Sequence, residues 1–271
     1  MSPMSRAADF AYLDHDGPIA LAHRGGTRLR ANEGIENSLR SFRNAMALGY
    51  RYLETDVHAT ADGVVVAFHD TVLDRVTDRT GEIATLEYAE LSEARIGGTE
   101  PIPTLAELLE ALPEARLNID IKADNALEPT LDVLRDHDAL DRVLIASFSD
   151  RRIKRVRRLL GPGVATSAGQ NETAIERLLP RGPRRILTPA PALQVPARHR
   201  IRGRILHIPT RSFVEGAHRL GKHVHVWFHD WDEETSQELH RLLDLGVDGI
   251  VSDRIDVLAT VLAERGRPLR R

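Results

Sequence analysis

Apolar residues recur along the chain with two periods that alternate, and the alternation predicts strands followed by helices. The short apolar run Ile19 to His23 ends in His23-Arg24-Gly25-Gly26, which predicts a strand opening into a glycine-rich loop. Leu39, Phe42, Ala45 and Met46 then follow at helical spacing, with Gly49 as the C-terminal stop. Tyr52 to Val57 is the next strand, and Asp62-Gly63 between β-branched runs predicts a hairpin that continues it. From Asp70 to Pro103 the pattern is polar and irregular, with a short helix expected over 86–94. Thr104-Leu105-Ala106-Glu107 forms a capping box for a helix that ends before Pro113.

Beyond that point the alternation tightens. Leu117 to Lys122, Val143 to Phe148 and Val164 to Ser167 are strand-like, and Ser149 caps a helix terminated by Gly161-Pro162-Gly163. Arg204 to Ile208, His223 to Phe228 and Gly249 to Ser252 complete the set. With the hairpin counted in the second strand there are eight, which predicts an α/β fold, a (β/α)8 TIM barrel with its site at the strand C-terminal ends. The stretch 180–202 fits least well, and Ile186-Leu187 within it is an alternative strand. Without an internal repeat or linker, residues 1–271 are expected to form one domain, with a small insertion at about 71–100.

Composition narrows the function classes. A length of 271 residues suits one such barrel, and a formal charge of -3 with 42% apolar residues offers no basic excess for nucleic acid. The lack of cysteine excludes disulfides, thiolate ligands and a cysteine nucleophile. The first eighteen residues carry Asp9, Asp14 and Asp16 without an apolar core, and no later run reaches membrane-spanning length. A cytoplasmic protein without a stable membrane anchor is the expectation.

The charged residues change the picture more. Alternation directs Glu54 and Asp56 from one strand face, where they suit two ligands of a hard cation. The hairpin returns His69 to about the level of Asp56. His23 and Arg24 end the first strand, while Asn118, Asp120 and Lys122 share one face of the third. Singly, each has a bland reading: a charge facing water, a histidine capping backbone, a tryptophan such as Trp227 in the core. Three strands aiming such groups at one barrel mouth favour a site. A second cluster is His225, Trp227 and His229 on one face, with His207 on the preceding strand, which would suit zinc. The carboxylates favour a hard metal instead, with His225 and His229 bonding substrate or loops.

Several stretches together resemble the glycerophosphodiester phosphodiesterases. They are His23-Arg24-Gly25, Glu36-Asn37-Ser38, Glu54-Thr55-Asp56-Val57, Asp62-Gly63, His69-Asp70, Ile102-Pro103-Thr104-Leu105, Ile119-Asp120-Ile121-Lys122, Ser147-Phe148, Val226-Trp227, and Gly246-Val247-Asp248-Gly249-Ile250 followed by Ser252-Asp253. Each is weak alone; in this order over nearly the whole chain they are specific. The resemblance implies an enzyme that uses one divalent cation, Mg²⁺ or Ca²⁺, to hydrolyse a small-molecule glycerophosphodiester to glycerol 3-phosphate and an alcohol. Glu54, Asp56 and Asp120 would hold the metal, Arg24 and Lys122 the phosphate, and His23 and His69 would be the acid/base pair. Trp227 matches the family's barrel-mouth tryptophan and would floor the pocket. Glu36 and Asn37 are expected to begin a helix, with contact to the site as the alternative.

The departures bear on substrate more than on reaction class. Asp120 stands where the family usually has glutamate, Ile35 replaces a proline, the segment from Thr27 to Gly34 is longer, and His229 replaces an asparagine. Two alternatives therefore stay open. One is a lysophospholipase D or sphingomyelinase D-like enzyme using the same site, which an apolar loop at the mouth would favour and the polar stretch 71–100 disfavours. The other is a non-catalytic phosphate-binding barrel, against which both motif histidines argue.

Overall fold

A computed structural model describes residues 6–178, 188–201, 204–229 and 233–269. Its strands, in chain order, are β1 (Ile19–His23), β2 (Tyr52–Ala59), β3 (Val65–Ala67), β4 (Arg95–Ile96), β5 (Glu100–Pro101), β6 (Arg116–Ile121), β7 (Val143–Ala146), β8 (Ala165–Thr166), β9 (Ala192–Pro196), β10 (Arg198–Ile201), β11 (Arg204–His207), β12 (His223–Trp227) and β13 (Gly249–Ser252). Eight of them run parallel in the order β1, β2, β6, β7, β8, β9, β12, β13, with β13 back beside β1. A parallel bridge between Ser167 and Ala192 closes the remaining gap between β8 and β9. The expected (β/α)8 barrel is present.

Two apolar layers explain why the ring closes. Outward residues such as Leu53, Val57, Leu117, Ile119, Val143, Ile145, Val224, Val226 and Ile250 pack with the surrounding helices. Inward residues Ile19, Leu21, Tyr52, Leu144, Ala146, Ala165, Ala192 and Val251 form a second cluster. Most strands are thus apolar on both faces near their starts, while β6 and β12 turn Arg116 and His223 inward there. Phe10, Tyr12 and Leu13 join the inner cluster from the N-terminal segment. Arg116 fastens that segment with hydrogen bonds to Ala11 O (2.6 Å), Tyr12 O (3.2 Å) and the Tyr52 hydroxyl (2.8 Å).

Helix starts behave as their cap residues dictate. The hydroxyls of Ser38, Thr104, Ser149, Thr210 and Thr235 accept the backbone N–H of Ser41, Glu107, Arg152, Phe213 and Glu238 respectively. The hairpin turns at Thr60–Gly63, with Gly63 at φ +85°, and β3 pairs antiparallel with β2. After it, the expected insertion folds over a small core of Phe68, Leu73, Ile83, Leu91, Ala94, Ile96 and Ile102. Its short helix is Tyr88–Leu91, within the range expected.

One strand is corrected. The sixth barrel strand is Ala192–Pro196, inside the stretch that fitted least well, and not Arg204 to Ile208. Leu193 and Val195 face the helices, and Pro196 stands at the strand's end. Arg204–His207 instead pairs antiparallel with Arg198–Ile201 in a ribbon outside the barrel. Its apolar residues mislead because they are exposed, Ile205 by 53% and Leu206 by 45%. Ile186 and Leu187 lie outside the described residues. Among the described residues, no helix is long and apolar enough to cross a membrane.

Candidate active site

Register places the charged residues before any side chain is considered. His23 pairs with Glu54, Glu54 with Asn118, and Asp56 with Asp120 across β1, β2 and β6. His23, Asp56 and Asp120 lie in the C-terminal halves of their strands, where a barrel presents its site, with Glu54 and Asn118 one inward-facing step below the two aspartates. The loop after β1 then turns sharply: Arg24 sits at φ +49° and Asn37 at φ +58°. Such left-handed residues cost about 1 kcal/mol or more and need support from their neighbours. Arg24 N–H meets both the backbone oxygen of Glu54 (3.0 Å) and its Oε2 (3.2 Å). Asn37 N–H donates to Arg24 O (2.9 Å), and Asn37 Oδ1 accepts the Thr55 hydroxyl (2.8 Å). Gly25 is required here, since a Cβ would fall 2.3 Å from Ser41 Oγ.

Two cations cross-link the carboxylates. Lys122 Nζ lies 2.8 Å from both Asp56 Oδ1 and Asp120 Oδ2. Arg24 Nε forms an ion pair with Asp56 Oδ2 at 3.1 Å, and a terminal nitrogen donates to Glu36 Oε1 (3.2 Å). Burial opposes the Asp56 charge, but Lys122 and Arg24 outweigh it and hold its pKa well below the usual range. Glu54 lacks such a partner, so burial and then the Asp56 charge push it up to about 7. Asp120 is raised chiefly by burial.

The histidines are each held by an aspartate. His23 Nδ1 lies 3.0 Å from Asp253 Oδ1, leaving Nε2 at 3.8 Å from Glu54 Oε2. Burial works against a charged His23, yet Asp253 and Glu54 outweigh it and raise its pKa to about 9. Asp253 also accepts the Thr27 hydroxyl (2.7 Å), and its own N–H donates to Glu234 Oε1 (3.0 Å). His69 Nδ1 lies 2.6 Å from Asp70 Oδ1, and burial is the main cause that lowers its pKa. His69 follows Phe68, whose N–H donates to Asp56 O (2.9 Å), so the hairpin delivers His69 to within one residue of the Asp56 level.

Aromatic rings line one side of the mouth. Lys122 Nζ stands 5.7 Å from the centre of the Phe148 ring, Phe148 meets Trp227 edge-on at 5.9 Å, and Trp227 meets His229 at 4.5 Å. Phe148 is 52% exposed. The three histidines considered for zinc are dispersed. His225 is buried beside His223, His229 is exposed at the mouth, and His207 lies on the outer ribbon 3.9 Å from Glu238.

The donor set Glu54, Asp56 and Asp120 is all oxygen, the chemistry a hard cation takes. Asp120 Oδ1 is buried without a hydrogen-bond partner, and the raised Glu54 marks a place short of positive charge. Both observations fit a cation there. Among the described residues no three metal-ligating side chains converge, and Lys122 Nζ stands between Asp56 and Asp120.

Sequence reasoning therefore named residues that the fold brings together: His23, Arg24, Glu54, Asp56, His69, Asp120 and Lys122, with Trp227 at their edge. It gave no role to Asp253, Asp70 or Arg75. Asp253 directly follows the last barrel strand, a position from which a role was readable. Glu36, expected chiefly to start a helix, contacts the site through Arg24.

The barrel mouth thus gathers Arg24 and Lys122, the carboxylates of Glu54, Asp56 and Asp120, and two imidazoles each beside an aspartate. Residues 23–257 match the model of the glycerophosphoryl diester phosphodiesterase family, and the chain belongs to that family. By class it is a phosphoric diester hydrolase. A Mycobacterium tuberculosis protein named "Probable glycerophosphodiester phosphodiesterase 2" is 43% identical over 260 residues, covering 94% of each chain. A lysophospholipase D of Rattus norvegicus is 37% identical over 118 residues, 39% of this chain and 36% of that one. The crystal structure of an Agrobacterium tumefaciens glycerophosphodiester phosphodiesterase superposes with a TM-score of 0.72 at 21% identity, covering 90% of this chain and 99% of that one, which supports the fold.

Proposed function

We propose that residues 1–271 act as one domain that hydrolyses small-molecule glycerophosphodiesters to glycerol 3-phosphate and an alcohol. One observation carries this reading: both motif histidines have Nδ1 engaged by an aspartate, which leaves each Nε2 for proton transfer beside the Arg24–Lys122 pair. Arg24 and Lys122 bind and orient the phosphate and stabilise the charge that develops on it. His23 and His69 serve as the acid and the base, one assisting the nucleophile and the other protonating the departing alkoxide. Trp227 and Phe148 wall one side of the pocket. A divalent cation, Mg²⁺ or Ca²⁺, held by Glu54, Asp56 and Asp120 would add polarisation of a phosphate oxygen.

A lysophospholipid substrate is the second reading, favoured by the exposed Phe148 at the mouth and by Ile205 and Leu206 on the ribbon beyond it. Turnover of glycerophosphocholine and of lysophosphatidylcholine, each with Mg²⁺, Ca²⁺ or chelator, separates the two. Glycerol 3-phosphate from glycerophosphocholine, abolished by chelator, is the expected result. Cleavage of the lysolipid alone would replace the first reading with the second, and release unaffected by chelator would remove the metal.

A further inference from the structure

Arg75 lies six residues beyond His69, on the first turn of the insertion. Exposed ion pairs contribute little to stability, so the geometry around this half-exposed arginine calls for another explanation. Its guanidinium is forked onto two carboxylates at once. Nε donates to Asp70 Oδ2 (2.5 Å) and one terminal nitrogen to Asp70 Oδ1 (3.3 Å). That same nitrogen donates to Glu36 Oε1 (2.7 Å), and the other terminal nitrogen to Glu36 Oε2 (2.9 Å).

Each carboxylate has a second partner inside the site. Asp70 Oδ1 is the atom that meets His69 Nδ1 at 2.6 Å. Glu36 Oε1 is the atom that accepts from Arg24 at 3.2 Å. From Arg75, two hydrogen bonds therefore lead to an imidazole and two to the phosphate-side arginine. The backbone that carries Arg75 is held independently: Leu73 is buried in the insertion's own core, its N–H donates to Gly81 O (2.9 Å), and the Thr77 hydroxyl returns to Leu73 O (2.9 Å).

We propose that Arg75 is a positioning residue for the hydrolytic reaction, through which the insertion sets the orientation of His69 by way of Asp70 and of Arg24 by way of Glu36. The inference rests on the reading of His69 and Arg24 given above. Planarity is what the position requires, because a forked guanidinium can satisfy two carboxylates in fixed directions and an ammonium point charge cannot. Arg75 touches neither substrate nor reacting atoms in this arrangement. Its effect is transmitted as alignment, and misalignment of about 1 Å can cost on the order of 10²-fold in rate.

The test compares Arg75→Ala and Arg75→Lys with Arg79→Ala, which removes an exposed pair to Glu93 in the same insertion. Steady-state hydrolysis of glycerophosphocholine and thermal unfolding are measured for each. Arg75→Ala is expected to lose kcat by about 10²-fold with KM changed by much less, Arg75→Lys to recover only part, and free guanidinium ion to rescue Arg75→Ala. Arg79→Ala keeps wild-type turnover. A kcat within twofold of wild type in Arg75→Ala, or a loss matched by loss of folded protein and not rescued by guanidinium, would overturn the proposal. Wild-type protein that turns over nothing would instead overturn the reading of the site, and this inference with it.

Discussion

At the scale of single residues, the site is a set of charges that are affordable only together. Asp56 is buried yet ionised because Lys122 and Arg24 stand within 3.1 Å of it. Removing one partner of such a cluster leaves the others uncompensated. His23 depends in the same way on Asp253, whose carboxylate fixes Nδ1 and aims Nε2 toward Glu54. Asp253→Asn should therefore reduce kcat on glycerophosphocholine by about 10²-fold while KM changes little, since orientation of a proton-transfer group is lost and phosphate binding is not. Steady-state rates with matched thermal melts check this. A variant with wild-type kcat would show that Asp253 is only structural. These residues differed in legibility for a physical reason. Glu54, Asp56 and Asp120 lie on regular strands, where alternation alone assigns a face. Asp253 meets His23 across 230 positions of chain, and only the closed ring brings the two together.

At the scale of elements, short connections with strong caps aim each strand end. Thr104 is the clearest, since its hydroxyl accepts Glu107 N–H (3.1 Å) while Glu107 returns to Thr104 N–H (2.8 Å). Thr104→Ala should cost about 1 kcal/mol by denaturant unfolding, with an unchanged m-value. No measurable change would mean that packing of Leu105, Leu108 and Leu109 alone holds that helix. The sixth strand shows where pattern reading fails. Ala192–Pro196 follows Pro189 and Pro191 and ends in Pro196, so turn signals hide a strand whose outward residues are ordinary core. The ribbon after it carries the more strand-like run Ile205-Leu206, which pairs outside the barrel and faces solvent. Local propensity was right that 204–207 is a strand; the ring it joins is set by tertiary pairing.

At the scale of the whole molecule, the barrel interior mixes an apolar floor with polar groups. His225 is fully buried, and its ring packs against Gly249, where a Cβ would come within 2.7 Å of Cδ2. Burial, with a smaller contribution from His223 and against the pull of Asp248, lowers its pKa to about 3. Because the folded value lies below the ordinary 6.5, the unfolded chain takes up a proton that the barrel refuses. The contribution of His225 to stability is thus complete above about pH 6.5 and declines as pH falls toward 3, by at most about 1.4 kcal/mol per unit. Thermal melts between pH 7 and 5 should fall more steeply for the wild type than for His225→Gln. Parallel curves would show that His225 does not set the acid sensitivity.

The proposed hydrolysis requires His23 and His69 to act as the proton-transfer pair on either side of a phosphodiester. The direct measurement is the rate of glycerol 3-phosphate release from glycerophosphocholine by wild type, His23→Ala and His69→Ala at saturating substrate. Each variant should be slower by 10²-fold or more, the span that positioned acid/base groups contribute, while remaining folded. A folded variant of either histidine that releases glycerol 3-phosphate within a few-fold of the wild-type rate would contradict it.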